Sequence, residues 1–236
     1  MKTLQATQQD IADRNIRRWL LNEEVRRRLL NRKIDANVGP YLTISRETGA
    51  GGNAIARRVG ALLGWQTLDG ELLDCMAEKY GTPRSLLQFV DETEVSWLES
   101  LFASWNGKRG LSQEAYVHRL SQLMLLAAHH GNVIFVGRGG RFILPRERGL
   151  AVRIIAPFEF RAEQIMLARG ISMAEARLQI QQADRARQAF ATKYFHHNSA
   201  DPHEYDITIN VEKVDQRAAA ELIAAEVRLW MIDFDI

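Results

Sequence analysis

The sequence predicts an α/β fold, a parallel sheet of five strands with helices on both faces, and three observations carry that prediction. Short β-branched and apolar runs alternate with helical segments from residue 41 onward. Two of these runs, 133–136 and 154–156, are continuous rather than alternating, as in strands buried on both faces. The first run is joined to its helix by a glycine cluster, Gly49, Gly51 and Gly52, which makes a strand, a tight turn and a helix in succession.

The 236 residues, 46% hydrophobic and 25% charged, suffice for one sizeable domain, placed at 39–236 behind an N-terminal basic helical extension over 1–38. A formal net charge of only +2 makes no global demand for a polyanion, so no nucleic acid is expected and any basic site has to be local. The single cysteine, Cys75, excludes an internal disulfide and a cysteine-based zinc cluster. Charges run through the first 35 residues, and no stretch approaches the roughly 20 apolar residues that span a bilayer. The expectation is a cytoplasmic protein with no membrane partner.

The elements follow in order. Residues 8–33 read as one charged helix in which Ile11, Ile16, Trp19, Leu20, Val25, Leu29 and Leu30 form an apolar side and eight Arg or Lys stand against four acids. It serves either to dock on the domain or on a second subunit, or as a basic surface for an anionic partner. The run 35–40, Asp-Ala-Asn-Val-Gly-Pro, breaks this helix before the first strand at 41–44. After the glycine turn, Ile55, Val59, Leu62 and Leu63 recur at helical spacing. The second strand, 65–68, ends at Asp69-Gly70. About sixty mostly helical residues precede the third strand, too many for a plain crossover, so 71–131 is assigned as a helical insert. The third strand, 133–136, ends in Gly137-Arg138-Gly139-Gly140, and the fourth is placed at 152–156. A long polar helical run, 159–194, breaks near Gly170 and restarts at the capping signal Ser172-Met-Ala-Glu175. The fifth strand is 205–210 and the closing helix 216–230.

In such sheets ligands bind beyond the carboxyl ends of the strands. Those ends carry Arg46 with the glycines, Asp69, and Gly137-Arg138-Gly139. A glycine turn gathers backbone N–H groups at a helix N-terminus, where the partial positive charge favours a phosphate. The common phosphate loop, G-x-x-x-x-G-K-[ST], adds a lysine. Here Arg46 stands at its first glycine and Gly52 at its lysine. Glycines also cluster simply to turn a chain tightly, but three glycine or arginine clusters at three strand ends are harder to explain as packing.

Assembled, these residues resemble the cytidylate-kinase-like family of P-loop nucleotide kinases. The resemblance runs from about residue 41 to 230. It rests on ISRETGAGG at 44–52, LDGELL at 68–73, VGRGGRFIL at 136–144, APFEFR at 156–161, DRAR at 184–187, KYFHHNSADP at 193–202 and YDITIN at 205–210. It implies a three-layer P-loop nucleoside-kinase-like fold, with 71–131 as the acceptor region and an arginine-bearing lid over 172–203. The implied reaction moves a phosphoryl group from ATP, with Mg²⁺, to a nucleoside monophosphate such as CMP. Gly49-Ala50-Gly51 match the G-A-G of the family's phosphate loop. Gly137-Arg138 match the start of its G-R-D, Asp184 and Arg187 the D-x-x-R of its lid, and Asp69 the aspartate of its L-D-[ST]-G turn. The chain also departs from the pattern. Gly52 replaces the lysine, Asn53-Ala54 replace Gly-Thr and its hydroxyl, Val136 replaces a strand-end aspartate, Gly139 replaces the last residue of G-R-D, and Cys75 lies about where an acceptor-side arginine is expected.

The roles this implies are definite. Backbone N–H groups of Gly49, Ala50, Gly51, Gly52 and Asn53 hold the donor phosphates, and Arg46 replaces the lysine charge. Arg138 and Arg187 clamp the acceptor phosphate, Asp69 and Asp184 address the acceptor, and Arg185 with Arg161 close over the transferring group. Arginine suits this work because its planar fork grips two phosphate oxygens at once. The plain alternatives are an Arg46–Glu47 ion pair and a surface pair between Asp184 and Arg187. No metal ligands are identified: His196, His197, Asp201 and His203 read as a solvated or lid-anchoring loop. Two other functions stay open, a nucleotide-binding sensor or partner-binding protein without turnover, which the departures would suit, and a kinase whose acceptor is not a nucleotide.

Overall fold

The computed structural model describes residues 38–70 and 131–233 and, between them, the helical residues Tyr116, Val117, Leu120, Ser121, Met124, Leu125, Ala127 and Ala128. The expected N-terminal helix, Cys75 and most of the insert lie outside the described residues. The strands are β1 (Tyr41–Arg46), β2 (Gln66–Leu68), β3 (Val133–Val136), β4 (Gly149–Ile155) and β5 (Ile207–Asn210). The helices are α1 (Gly52–Leu63), α2 (Gly140–Ile143), α3 (Phe158–Arg169), α4 (Met173–Phe195) and α5 (Gln216–Asp233). All pairings are parallel and the order is β2-β3-β1-β4-β5.

Strand β1 is central, bonded to β3 on one side and to β4 on the other. The chain leaves β1 toward β2 on one side of it and later crosses from β3 to β4 on the other, so the turn after Arg46 opens at the switch point where open α/β sheets hold ligands. On one face α1 and α5 cover the sheet, with Ile55, Ala56 and Val59 packed in one core with Ala219, Ala220, Ile223 and Val227. On the other, Leu120, Met124 and Ala128 pack with Phe135, Tyr41 and Leu68. Each fully buried Ile, Leu or Phe contributes roughly 1.5–3 kcal/mol of transfer free energy. A third cluster, Ala162, Ile165, Ala176 and Ile180, joins α3 to α4 as a hairpin. Gly170 ends α3 in a left-handed cap, and Ser172 and Glu175 form the capping box that restarts the chain as α4.

Only the third strand keeps both expected ends; β1 runs two residues further, to Arg46, β2 starts one residue later, and the starts of β4 and β5 move for identifiable reasons. Strand β4 begins three residues earlier than the expected 152, because Gly149, Leu150 and Ala151 pair with Tyr41, Leu42 and Thr43. Gly149 is there for space: a Cβ would overlap the Tyr41 ring. Strand β5 starts at Ile207 rather than 205, because Tyr205 caps the short 3-10 turn Pro202–Glu204 and sends its hydroxyl to Ser45 Oγ and the Ser199 carbonyl.

Candidate functional site

The β1–α1 turn floors a cleft of about 1280 Å³ whose walls come from the end of β3, the α3–α4 hairpin and the start of α5. Gly49 and Gly51 hold positive φ of 88° and 75°, which only glycine adopts without strain. Each also admits a close neighbour: a Cβ at 49 would stand 2.7 Å from the Arg161 carbonyl oxygen, and one at 51 would overlap the Gln216 amide. The amides of Gly49, Gly51, Gly52 and Asn53 donate to no backbone acceptor among the described residues, so they face the cleft as a concave set of donors. Ala50 differs. Its N–H bonds the Glu47 carbonyl at 3.2 Å and its side chain is buried in the core, so of the five expected phosphate-holding residues it is the one turned inward.

One side of the turn is tied to the α3–α4 hairpin, whose α4 arm falls in the region expected to form the lid. Asp184 on α4 accepts from the Thr48 amide at 3.0 Å, the Thr48 hydroxyl at 2.7 Å and Arg161 Nη1 at 2.7 Å. Burial alone would raise its carboxyl, but the Thr48 and Arg161 donors outweigh it and hold the group below the ordinary aspartate range. Arg161, on α3, also donates to the Ala156 and Thr48 carbonyls and lies 3.4 Å from Glu47. Only 7% exposed, it lies beneath the cleft rather than over it. The role expected from the sequence, closing over the transferring group, is therefore corrected: Arg161 is buried, and its Nε and Nη1 are engaged by the Ala156 and Thr48 carbonyls, Glu47 and Asp184. Asp184 is placed at the cleft, but its oxygens tie the turn to the lid. Glu47 pairs with Arg153 and Arg161, not with Arg46.

The other side is cationic. Arg46 leaves the end of β1, lays its stem across Gly52 and its guanidinium across Gly137. A Cβ at 52 would stand 2.6 Å from the Arg46 Cβ, and one at 137 would overlap the guanidinium itself. Nε donates to Asn53 Oδ1 at 3.2 Å. Burial, then the charges of Arg187 and Arg138, push the Arg46 pKa down to about 10, against the pull of Asp69. It stays protonated at neutral pH. Arg187 donates to the Arg46 carbonyl at 3.2 Å and to Thr48 Oγ1 at 2.9 Å, and burial, with Arg138 and Arg161, lowers its pKa against the pull of Asp184. Its distance to Asp184 is 3.7 Å, the expected i, i+3 contact.

Arg138 is the third member. It holds a left-handed φ of 52° between Gly137 at 78° and Gly139 at 74°. For a residue with a side chain that conformation costs on the order of 1–2 kcal/mol. Gly139 is required because a Cβ would overlap the Phe195 ring at the end of α4. Arg138 reaches back over Gly70, 3.5 Å from where a Cβ would stand, beside Asp69 at the end of β2. Arg185 lies exposed at the rim on α4.

The histidine loop anchors to the body. His197 Nδ1 lies 2.7 Å from Glu204 Oε1, its ring stacks on Phe142 at 4.8 Å, and His203 pairs with Asp201 at 2.9 Å. Among the described residues no group of three or more His, Cys, Asp or Glu is arranged to hold a metal ion, and no helix is long and apolar enough to cross a membrane. The residues that sequence reasoning missed are Thr48, Glu47 and Arg153. Thr48 lies inside the ISRETGAGG motif, but nothing in its spacing signals that four hydrogen bonds to the hairpin meet there.

A central strand, a glycine turn at its end and an arginine-bearing helical hairpin over it define a P-loop-type α/β protein. Residues 41–213 match the profile of the Cytidylate kinase-like family, and the chain belongs to that family. Among solved structures, an uncharacterized protein from Eubacterium ventriosum is 20% identical with a TM-score of 0.60, over 80% of this chain and 98% of its own. A shikimate kinase from Bacteroides thetaiotaomicron is 16% identical with a TM-score of 0.39, over 83% and 98%. A dephospho-CoA kinase from Campylobacter jejuni is 13% identical with a TM-score of 0.34, over 79% and 96%. These likenesses concern the fold. No curated protein matches the sequence.

The family implies Mg²⁺, and the residues present do not fit it. Position 54, where the hydroxyl is expected, is alanine, and Val136 at the end of β3 is fully buried and apolar. Of the carboxylates at the turn, Glu47 and Asp184 are paired with arginines, and Asp69 lies in the field of Arg46. Among the described carboxylates at the turn, a metal would have to compete with arginine charge.

Proposed function

We propose that the protein transfers the terminal phosphoryl group of ATP to a nucleoside monophosphate, CMP being the first candidate. The observation that carries this reading is the convergence of Arg46, Arg138 and Arg187 on one wall of a glycine-lined cleft. Phosphoryl transfer asks for alignment and for positive charge on the migrating oxygens, with little covalent work from the protein. An oxygen of the acceptor phosphate attacks the γ-phosphorus, the bond to the β–γ bridging oxygen breaks, and ADP departs with that electron pair. The acceptor phosphate, with a second pKa near 6, is already largely dianionic at neutral pH, so no general base is needed. The amides of Gly49, Gly51, Gly52 and Asn53 seat the donor, Arg46 stands in for the lysine, and Arg138 with Arg187 grip the acceptor, with Asp69 beside them. Arg185 approaches from the lid.

A second reading, a nucleotide-binding module without turnover, is favoured by one observation, the alanine and valine at the two positions that would address a metal. ATP consumption measured against CMP, UMP, AMP and GMP separates the two. Formation of a nucleoside diphosphate from one of them supports transfer. Tight ATP binding with no product from any acceptor gives the site to the second reading.

A further inference from the structure

From the same cleft, and resting on its assignment as a phosphate site, we infer that it takes a nucleoside triphosphate as the metal-free anion, with guanidinium groups in place of a protein-held cation. The ligand set is one half of the argument. The side chains that would approach a metal are apolar at positions 54 and 136, and the carboxylates are engaged by Arg153, Arg161 or the field of Arg46.

The other half is the direction of Arg46. Nε is its one hydrogen-bonding nitrogen among the described residues, bonded to Asn53, while Nη1 lies against Gly137 and the side chain lines the cleft. Glycine at 52 and at 137 is what lets the side chain lie there. A half-buried guanidinium with unspent donors, repelled by two neighbours of like charge, gains most from an anion that accepts from it directly. Arg187 likewise spends its Nη1 on the turn, on the Arg46 carbonyl and Thr48 Oγ1. A magnesium complex of ATP carries less negative charge than the free anion and presents oxygens already committed to the metal. Arg46, set in the added positive field of Arg138 and Arg187, therefore favours the free form.

Isothermal titration of the full-length protein with ATP, in EDTA and in excess Mg²⁺ at matched ionic strength, tests this. Binding in EDTA is expected to be as tight as in Mg²⁺ or tighter, by about fivefold. Arg46→Ala should weaken EDTA binding about 10- to 100-fold and weaken Mg²⁺ binding less. Binding that appears only with Mg²⁺, no binding in either condition, or an Arg46→Ala protein with unchanged EDTA affinity overturns the inference. The wild-type comparison stands even where the variant folds poorly. Its outcome is separate from that of the transfer reading: metal-free binding without product in the acceptor screen leaves this inference standing and removes transfer, whereas product with strictly metal-dependent binding does the reverse.

Discussion

The two sides of the glycine turn are both built from arginine, and they use it in opposite ways. On the Thr48 side, Arg161 is sunk into the protein, and its charge and its donors are met by Asp184, Glu47 and two carbonyls. On the Arg46 side, burial with the charges of Arg187 and Arg138 depresses the proton affinity of Arg46, and burial with Arg138 and Arg161 that of Arg187, with Asp69 and Asp184 as the opposing charges. The contrast teaches that an arginine near a phosphate loop is no evidence of ligand binding until its partners are counted. The compensated side holds the turn in shape; the crowded side is the one we propose for an anion.

The largest effect should come from breaking the compensated side. Arg161→Met removes the buried arginine shared by Asp184 and Glu47 and should cost about 3–5 kcal/mol of folding stability, read from denaturant unfolding. Arg46→Ala should leave stability within about 1 kcal/mol, because it removes a desolvated charge from beside two like charges; equal losses from the two variants would erase the contrast. A subtler variant, Gly52→Ala, raises helix propensity by up to about 1 kcal/mol yet sets a Cβ 2.6 Å from the Arg46 stem. Because the Arg46 Cβ is anchored to the strand end and cannot swing away, the overlap should outweigh the propensity gain: the melting temperature should fall, and ATP affinity should drop about tenfold in calorimetry. The smallest effect belongs to Asp184→Asn, about 1–2 kcal/mol at neutral pH. Because the native Asp184 pKa is depressed, its contribution is present above the unfolded value of about 3.9 and fades as pH falls through the native one. Wild-type and variant unfolding curves should therefore converge in acid, and a gap that persists there would show that the carboxylate charge is not what ties the lid.

The sheet was legible because buried parallel strands read as short apolar runs; 133–136 coincides with β3 to the residue. The glycine turn and the helix restart at Ser172 were legible for local reasons, positive φ and a capping box. The start of β4 was not, since Gly149 looks like a loop residue until the Tyr41 ring is seen against it. At the site, strand-end position singled out Arg46 and Arg138, and both reach the cleft wall. The family resemblance, which offered Arg161 as a residue closing from the lid side, misjudged it, because its burial depends on Thr48 and Asp184 arriving from distant parts of the chain. Spacing says where a side chain starts, and only tertiary contacts say whether its charge is already spent.

The contact between Gly52 and the Arg46 stem ties the histories of two positions together. A lysine placed at 52 in this background meets Arg46 where it stands, and an alanine at 46 alone leaves the turn with neither cation. Conversion to the commoner lysine loop thus requires both changes, and each intermediate is handicapped. Such reciprocal constraint makes the arginine loop a separate solution that drift does not readily undo.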